Sequence, residues 1–350
     1  MVPMDAGACG YFRVREPARV ARAAGVDVNL AADHPGIPEK YHGVPMVTRP
    51  DRQGIEEITQ LLVDADVIVI QRPLMQPMLA VAIQARKQGI KVVVELDDDL
   101  HAVHRNNTVA GAIDPRKAPL HNVQWAARTI DMADMLICST PAIARRYGPH
   151  KAVVVRNWLP EHVLPLAPAV SPARDVVGWT GAVNVHPEDL QETAGGMRAL
   201  PQPFTVVGLE VGVAAALRLP EDRVRLGAAW QPSIPDYWAA VAEHIGVGIA
   251  PLQASAFNRA KSWLKPFEYS ALGIPWVASP LPEYLLLAQQ SQAGLIAKSR
   301  GQWGRLTQRL LRDDTLYSEL RGAGLAWAKD NTLEKHIGEH VMAWERACAL

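Results

Sequence analysis

The residues best placed to do chemistry lie in one segment, FNRAKSWLKPFEYSALGIPWVAS, spanning Phe257–Ser279. Pro266 suits the first position of a helix, because its missing N–H would be unpaired there in any case. Lys265, ahead of the proline, is steered away from helix. The pattern therefore predicts a helix from Pro266 to Leu272, stopped at Gly273, with Lys261, Ser262 and Lys265 just before its start. Cations at a helix N-terminus cost a few tenths to about 1 kcal/mol each against the dipole. The placement makes sense if an anion sits between them: a diphosphate would satisfy the first-turn N–H groups and the lysines together. Glu268, inside the first turn, is placed to accept hydrogen bonds from the two hydroxyls of a ribose. Solvated lysines and a helix-stabilising glutamate explain any one of these residues, but explain the constellation less well.

A second cluster is Asp97, Asp98 and Asp99, at the end of the apolar run KVVVEL. Three adjacent carboxylates repel one another and call for compensation. A divalent metal, the hydroxyls of a ligand, or an N-cap role for one carboxylate would each supply it. Neighbouring residues point different ways, so one or two face a ligand and one caps. His101 and His104 lie close by; a lone histidine is more often structural, and only His101 is kept as a candidate. Two glycine loops complete the set. In DAGACGYFRVR a short strand, Val2–Met4, runs into Gly7 and Gly10 and then a helix carrying Arg13, Arg15 and Arg19. In WTGAVNVH, Gly181 stands between a strand and a helix predicted over Pro187–Leu200. Glycines permit close backbone approach to a phosphate, although a plain tight turn reads the same way. Neither loop has the spacing of a dinucleotide fingerprint, and the first lacks the lysine of a P-loop.

The elements that must position these loops alternate. β-branched runs occur near Val26 (VDVNLA), at Val67–Ile70, Lys91–Leu96, Met135–Ser139 and Ala152–Asn157, separated by helical stretches at Arg52–Val63, Leu74–Gln88 and His121–Ala133. Runs apolar throughout indicate strands covered on both faces, as in parallel sheets under helices. A segment with Pro160, Pro165, Pro168 and Pro172 interrupts the pattern and reads as a semi-rigid linker. The alternation then restarts at Asp175–Gly181, Phe204–Leu209, Val224–Ala228, Val247–Leu252, Pro275–Ser279 and Gly294–Lys298, before a helical end from Gln302 to Ala349. The expected architecture is α/β: two Rossmann-like, doubly wound parallel-sheet domains facing a cleft, over residues 1–168 and 172–330. The last helix, from Asn331, has an apolar stripe of Leu333, Ile337, Val341 and Trp344 and is expected to pack back on the first domain.

Composition bounds the rest. The 350 residues are 49% hydrophobic and 21% charged, enough to bury two cores. Lys+Arg and Asp+Glu are both 36, leaving no global field to draw the chain onto nucleic acid or anionic membrane. The cysteines, Cys9, Cys138 and Cys348, are scattered and odd in number, against a disulfide framework and for a reducing cytoplasm. The N-terminus lacks a signal-peptide core, and VIVIQRPLM is too short to span a bilayer.

KSWLKPFEYSALGIPWVAS resembles the donor-site segment of GT-B glycosyltransferases of the family 4 type, in which lysine, serine and a late glutamate precede a small residue, Gly, Pro and a strand. VVGWTGAVNVHPEDL resembles the first strand and loop of their donor domain. IDMADMLICSTPAIARRYG with VVVRNWLP is similar to the end of their acceptor domain, and CGYFRVREP with VELDDDLH to a bacterial and phage subset. The resemblance implies a nucleotide-sugar donor, UDP- or GDP-linked; the acceptor is open among a glycan, lipid, protein, small molecule and modified DNA base. It implies Glu268 on the ribose and Lys265, Lys261 and Ser262 on the diphosphate, with the backbone of Thr180, Gly181 and Ala182. Asn258, Gly10, Tyr11 and Arg13 join the donor contacts, and Asp97, Asp98, Asp99, His101 and Lys265 the catalytic set. Such enzymes usually retain anomeric configuration, need no metal and carry no cofactor. Two positions depart from the family: Ala260 stands where a partner glutamate is common, and Asp97 where many members have histidine, so donor sugar and stereochemistry stay open. The alternatives are a metal-dependent transferase using Asp97–Asp99, a nucleotide-sugar epimerase, and a non-catalytic sugar-nucleotide-binding module. A nicotinamide oxidoreductase is disfavoured because no strand leads into the full glycine fingerprint. Oligomeric state is not legible.

Overall fold

A computed structural model describes residues 1–31, 43–50, 56–169, 171–186 and 188–350. The chain divides into two compact units. Unit 1 comprises Met1–Val103, Val109–Asn157 and His336–Leu350; unit 2 comprises His104–Thr108 and Trp158–Lys335.

In unit 1 an antiparallel pair, β1 (Met46–Pro50) and β2 (Glu56–Leu61), precedes a parallel sheet of β3 (Val67–Gln71), β4 (Lys91–Leu96), β5 (Met135–Cys138) and β6 (Ala152–Val154), lying in that order. Val92, Val93, Val94 and Leu96 of β4 are all fully buried, as the unbroken apolar run requires. Helices Gln76–Lys87 and Val123–Met132 pack on this strand. Val2 adds a parallel bridge to Ile70 at the edge of the sheet. Two expectations fail here. The run near Val26 forms no strand: Val28 and Leu30 are buried and Asp27 and Asn29 exposed, and the Ala31 N–H donates to the Met1 carbonyl. The helix expected over Arg52–Val63 is, in its described part, strand β2, because Glu56–Leu61 finds ladder partners on β1. Residues 51–55 lie outside the described set.

In unit 2 the strands are β7 (Val177–Gly181), β8 (Phe204–Gly208), β9 (Val224–Ala229), β10 (Val247–Ala250), β11 (Trp276–Ala278) and β12 (Gly294–Ile296). They form one parallel sheet in the order β12-β11-β10-β7-β8-β9. Counted from β7, this is the doubly wound order 3-2-1-4-5-6, with the reversal between β7 and β10. Its core gathers Trp179, Val206, Ile249, Val277, Trp303 and Leu310. The Pro-rich stretch belongs to this unit: Trp158 is buried against Trp263, Phe267 and Trp327, and Leu159 bridges to Thr332. Helices Gln302–Arg312, Asp314–Asp330 and Leu333–Cys348 follow, and the residues from His336 onward group with unit 1. No helix among the described residues is long and apolar enough to cross a membrane.

Candidate functional site

Doubly wound sheets bind ligands beyond the carboxyl ends of the strands, where the order reverses. In unit 2 that place is the end of β7. Trp179 and Thr180 are buried there, and Gly181 has φ +140°. A Cβ on Gly181 would stand 2.9 Å from Cζ2 of Trp179, so only glycine fits. The chain then turns, and the N–H groups of Ala182, Val183 and Asn184 meet no acceptor among the described residues. The helix predicted over Pro187–Leu200 is shorter and later: a 3-10 turn at Leu190–Thr193 leads into Ala194–Arg198, and Pro187 lies outside the described residues. The open amides after Gly181 therefore belong to a turn, not to a helix N-terminus.

Lys265 reaches the same strand end. Its Nζ donates to the Thr180 carbonyl at 2.5 Å and to Thr180 Oγ1 at 2.7 Å. It does so from inside its helix, which runs Leu264–Ala271 instead of starting at Pro266. Pro266 is tolerated at the third position because first-turn N–H groups have no intrahelical acceptor. The earlier start is held by the burial of Trp263 among Trp158, Phe267 and Trp327. Gly273 does follow the helix end, and the Ile274 N–H returns to the Tyr269 carbonyl. Burial pushes the Lys265 ammonium down to about 8, with Glu268 opposing and Lys261 reinforcing the fall.

Glu268, one turn on, is buried. Oε1 accepts from Trp238 Nε1 at 2.9 Å and Oε2 from the Tyr237 hydroxyl at 3.2 Å. The Tyr237 hydroxyl also lies 3.1 Å from Thr180 Oγ1, so Lys265, Thr180, Tyr237, Glu268 and Trp238 form one connected chain. Burial pushes Glu268 up to about 7, opposed by Lys265 and by both donors. Tyr237 and Trp238 come from helix Ile234–His244, capped by Ser233. In the sequence this aromatic pair reads as ordinary core, and nothing there marks it for the site.

Asp189 is a second residue the sequence did not offer. It is buried; Oδ1 accepts from the Gln253 N–H at 2.8 Å and from Asn258 Nδ2 at 2.7 Å, and Oδ2 lies 3.2 Å from His186 Nδ1. Asn258 is thereby a buried brace for this loop, its amide also bonded to the Gln253 carbonyl, and not an open ligand contact. Lys261 and Ser262 lie half-buried in the turn entering the Leu264–Ala271 helix, and Lys261 Nζ sits 4.4 Å over the Phe257 ring. Burial lowers the His186 imidazole, with Lys261 and Lys265 adding repulsion against the pull of Asp189.

In unit 1 the N-terminal loop is organised from within. Asp5 Oδ1 accepts the N–H groups of Gly7 and Gly10. A Cβ on Gly10 would stand 2.1 Å from the Asp5 carbonyl oxygen, so this glycine is required by the turn itself. Tyr11 opens a π-helical turn, Tyr11–Arg15, and is half-buried. Arg13, expected at a ligand, is instead 1% exposed: Nε lies 2.6 Å from Glu95 Oε1, and Nη1 donates to the Val155 carbonyl and Asn157 Oδ1. Two of the three aspartates are paired with arginines. Asp97 lies 3.6 Å from Arg72 Nε; Asp99 lies 2.8 Å from Arg146 Nε and accepts from the Tyr147 hydroxyl at 2.9 Å. His101 Nδ1 lies 3.0 Å from that hydroxyl, while His104 faces Glu188 within unit 2 at 3.9 Å. Among the described residues no group of three or more His, Cys, Asp or Glu gathers as a metal site.

No family model matches the chain, and no curated protein matches it. Solved structures do. A sucrose-phosphate synthase from Thermosynechococcus elongatus superposes over 98% of this chain and 94% of its own, with TM-score 0.64 at 15% identity. Anabaena HepE in complex with UDP covers 81% and 79%, with TM-score 0.55 at 15% identity. WaaG, a glycosyltransferase involved in lipopolysaccharide biosynthesis, covers 74% and 79%, with TM-score 0.52 at 12% identity. The fold is that of the GT-B glycosyltransferases. In this chain, Thr180, Gly181, Ala182, Lys265 and Glu268 come together at the switch point of unit 2, while in unit 1 Asp99 and His101 meet at Tyr147 and Asp97 lies on Arg72.

Proposed function

We propose that the chain is a glycosyltransferase that moves a sugar from a nucleoside-diphosphate sugar to an acceptor hydroxyl. The observation that carries this is the end of β7. A desolvated lysine, which makes no ion pair among the described residues, lies on Thr180 beside three unengaged backbone N–H groups. Amides and a cation converging at a switch point suit a diphosphate. The fold shared with glycosyltransferases, one of them bound to UDP, supports the reading.

In this proposal Lys265, Lys261, Ser262 and the amides after Gly181 stabilise the charge that develops on the departing nucleoside diphosphate. Glu268, held by Trp238 and Tyr237, accepts from the ribose hydroxyls. Gly10 and Tyr11 frame the corresponding loop of unit 1. The acceptor hydroxyl loses its proton to a leaving phosphate oxygen or to an aspartate of the Asp97, Asp98 and Asp99 triplet, with His101 reaching Asp99 through the Tyr147 hydroxyl. Transfer with retention and without a metal belongs to the proposal, as does a cytoplasmic setting for a chain whose three cysteines are free. A thermal-shift and hydrolysis screen against UDP-, GDP-, dTDP- and CMP-sugars, with and without EDTA, tests it. We expect a stabilising shift with one nucleotide class, since a ligand that binds only the folded state raises the midpoint. The shift should survive EDTA and be lost in Glu268→Ala. No shift with any nucleotide would refute the reading.

A further inference from the structure

We propose a second anion site on unit 2, a groove that takes a phosphorylated small molecule and shares no residue with the end of β7. The groove has a volume of about 590 Å³ and four arginines on its walls: Arg198, Arg218, Arg300 and Arg305. That volume falls in the range of small-molecule sites, roughly 300–1,000 Å³. The shape has a local cause. Gly196, in Ala194–Arg198, and Gly304, in Gln302–Arg312, touch backbone to backbone: a Cβ on Gly196 would stand 2.3 Å from the Gly304 nitrogen. The helices meet at that point, and the groove opens beside it, past Gly195 and Gly301, where an added Cβ would meet nothing within 4 Å.

The charge is one-sided. A single acid, Glu192, lines the groove, and it is consumed by Arg300 through two hydrogen bonds of 2.7 and 3.1 Å. The side chains of Arg198, Arg218 and Arg305 have no acceptor among the described residues. In a chain with 36 acids and 36 bases, three unmatched guanidiniums around one groove are a local excess. Guanidinium forks match the oxygens of phosphate bidentately. A second observation is independent of the charge count. Arg218 ends helix Val213–Leu217 in the left-handed conformation, φ +55°. Glycine is the usual choice for a helix end of this kind, and a side chain there is held at some cost. The sequence thus puts a guanidinium on the groove where the backbone alone would favour glycine. Gly301, which enters the Gln302–Arg312 helix without a side-chain cap, adds its helix start to the same groove.

The test is calorimetric titration of inorganic pyrophosphate, run in the Lys265→Ala background so that the proposed donor site does not contribute. We expect saturable binding that Arg218→Gly weakens by at least about tenfold, as does the double variant Arg198→Ala/Arg305→Ala. Arg218→Gly should keep or raise the thermal midpoint, because it relieves the left-handed residue. That separates loss of a ligand contact from loss of fold, even if the double variant folds poorly. Absence of saturable binding, binding indifferent to Arg218→Gly, or binding to phosphatidylglycerol vesicles in place of pyrophosphate would each overturn the proposal.

Discussion

The two units each bury a glutamate beside a strand end, and burial pushes both up to about 7. Their partners differ. Glu95, in β4 of unit 1, faces the guanidinium of Arg13 at 2.6 Å, and the pair is sealed, with 1% and 2% of the side chains exposed. Arg13 opposes that rise, because protonating Glu95 would strand a buried guanidinium. Glu268 in unit 2 takes its hydrogen bonds from two neutral donors, Trp238 and Tyr237, while Lys265 gives its own to Thr180. Unit 1 cancels its charges internally, arginine against carboxylate at Glu95, Asp97 and Asp99. Unit 2 leaves a cation and an anion linked only through hydroxyls. A compensated strand-end charge holds a fold together; an uncompensated one has something left to bind.

The sharpest way to break this comparison is to remove one partner of the sealed pair. Arg13→Met should lower the unfolding free energy by about 3–5 kcal/mol, because it leaves Glu95 buried without a counter-charge. Urea unfolding measures it. Glu268→Gln, by contrast, keeps the shape and removes a charge that burial disfavours. A carboxyl whose folded value is raised adds stability below its unfolded value, and that contribution is lost as pH rises through about 7. At pH 8 the Gln variant should therefore be at least as stable as the parent. Equal losses for the two variants would erase the distinction between the units.

Lys265→Ala comes next. If Lys265 carries the departing charge, kcat/KM with the true donor should fall on the order of 10²–10³-fold, the size seen when one charge-stabilising donor is removed. The thermal midpoint should hold or rise, since a desolvated cation has gone. Steady-state kinetics beside a melting curve would separate these readouts; turnover that survives the substitution returns Lys265 to a structural part.

A smaller effect follows from pH. Lys265 sits at about 8 in the free protein, and a bound diphosphate would draw it upward. Binding then takes up a proton, so affinity for a nucleoside diphosphate should be full below about pH 8. Above it, affinity should weaken by up to about tenfold per unit until the bound-state value is reached. Titrations at pH 7, 8 and 9 would show the fall; a flat profile would mean that Lys265 does not meet the phosphates.

Much of the fold was readable because parallel strands under helices leave short apolar runs, and ten expected runs became β3 to β12, although the edge strands β6, β9 and β12 are only partly buried. Glu56–Leu61 was misread because a short polar–apolar mix takes its structure from whatever strand lies alongside, here β1. Lys265 and Glu268 were singled out by proline and helix-end chemistry and Thr180 by the resemblance; the structure brings the three to one strand end, with Lys265 inside its helix and not before it. Arg13 and Asn258 were placed among the donor contacts through the resemblance, and the partners 82 and 69 residues away that bury them are invisible in one sequence. Tyr237, Trp238 and Asp189 were missed for the converse reason: an aromatic pair and a lone aspartate gain meaning only from what they touch.

The smallest prediction grades the compensation inside unit 1. Arg13 and Arg146 each hold a carboxylate within 2.8 Å, but the Arg13 side chain is 1% exposed and that of Arg146 is 49% exposed. Water already screens Arg146, and Asp99 keeps the Tyr147 hydroxyl when the arginine is gone. Arg146→Ala should therefore cost about 0.2–1 kcal/mol, the range of solvent-exposed pairs. Tyr147→Phe leaves a buried carboxylate oxygen with one donor fewer and should cost about 1–3 kcal/mol. Urea midpoints of the two variants and of their combination would give the coupling between them. If Arg146 proved as costly as Arg13, burial would not be what ranks these pairs, and the triplet would depend on its exposed arginine as heavily as β4 depends on its sealed one.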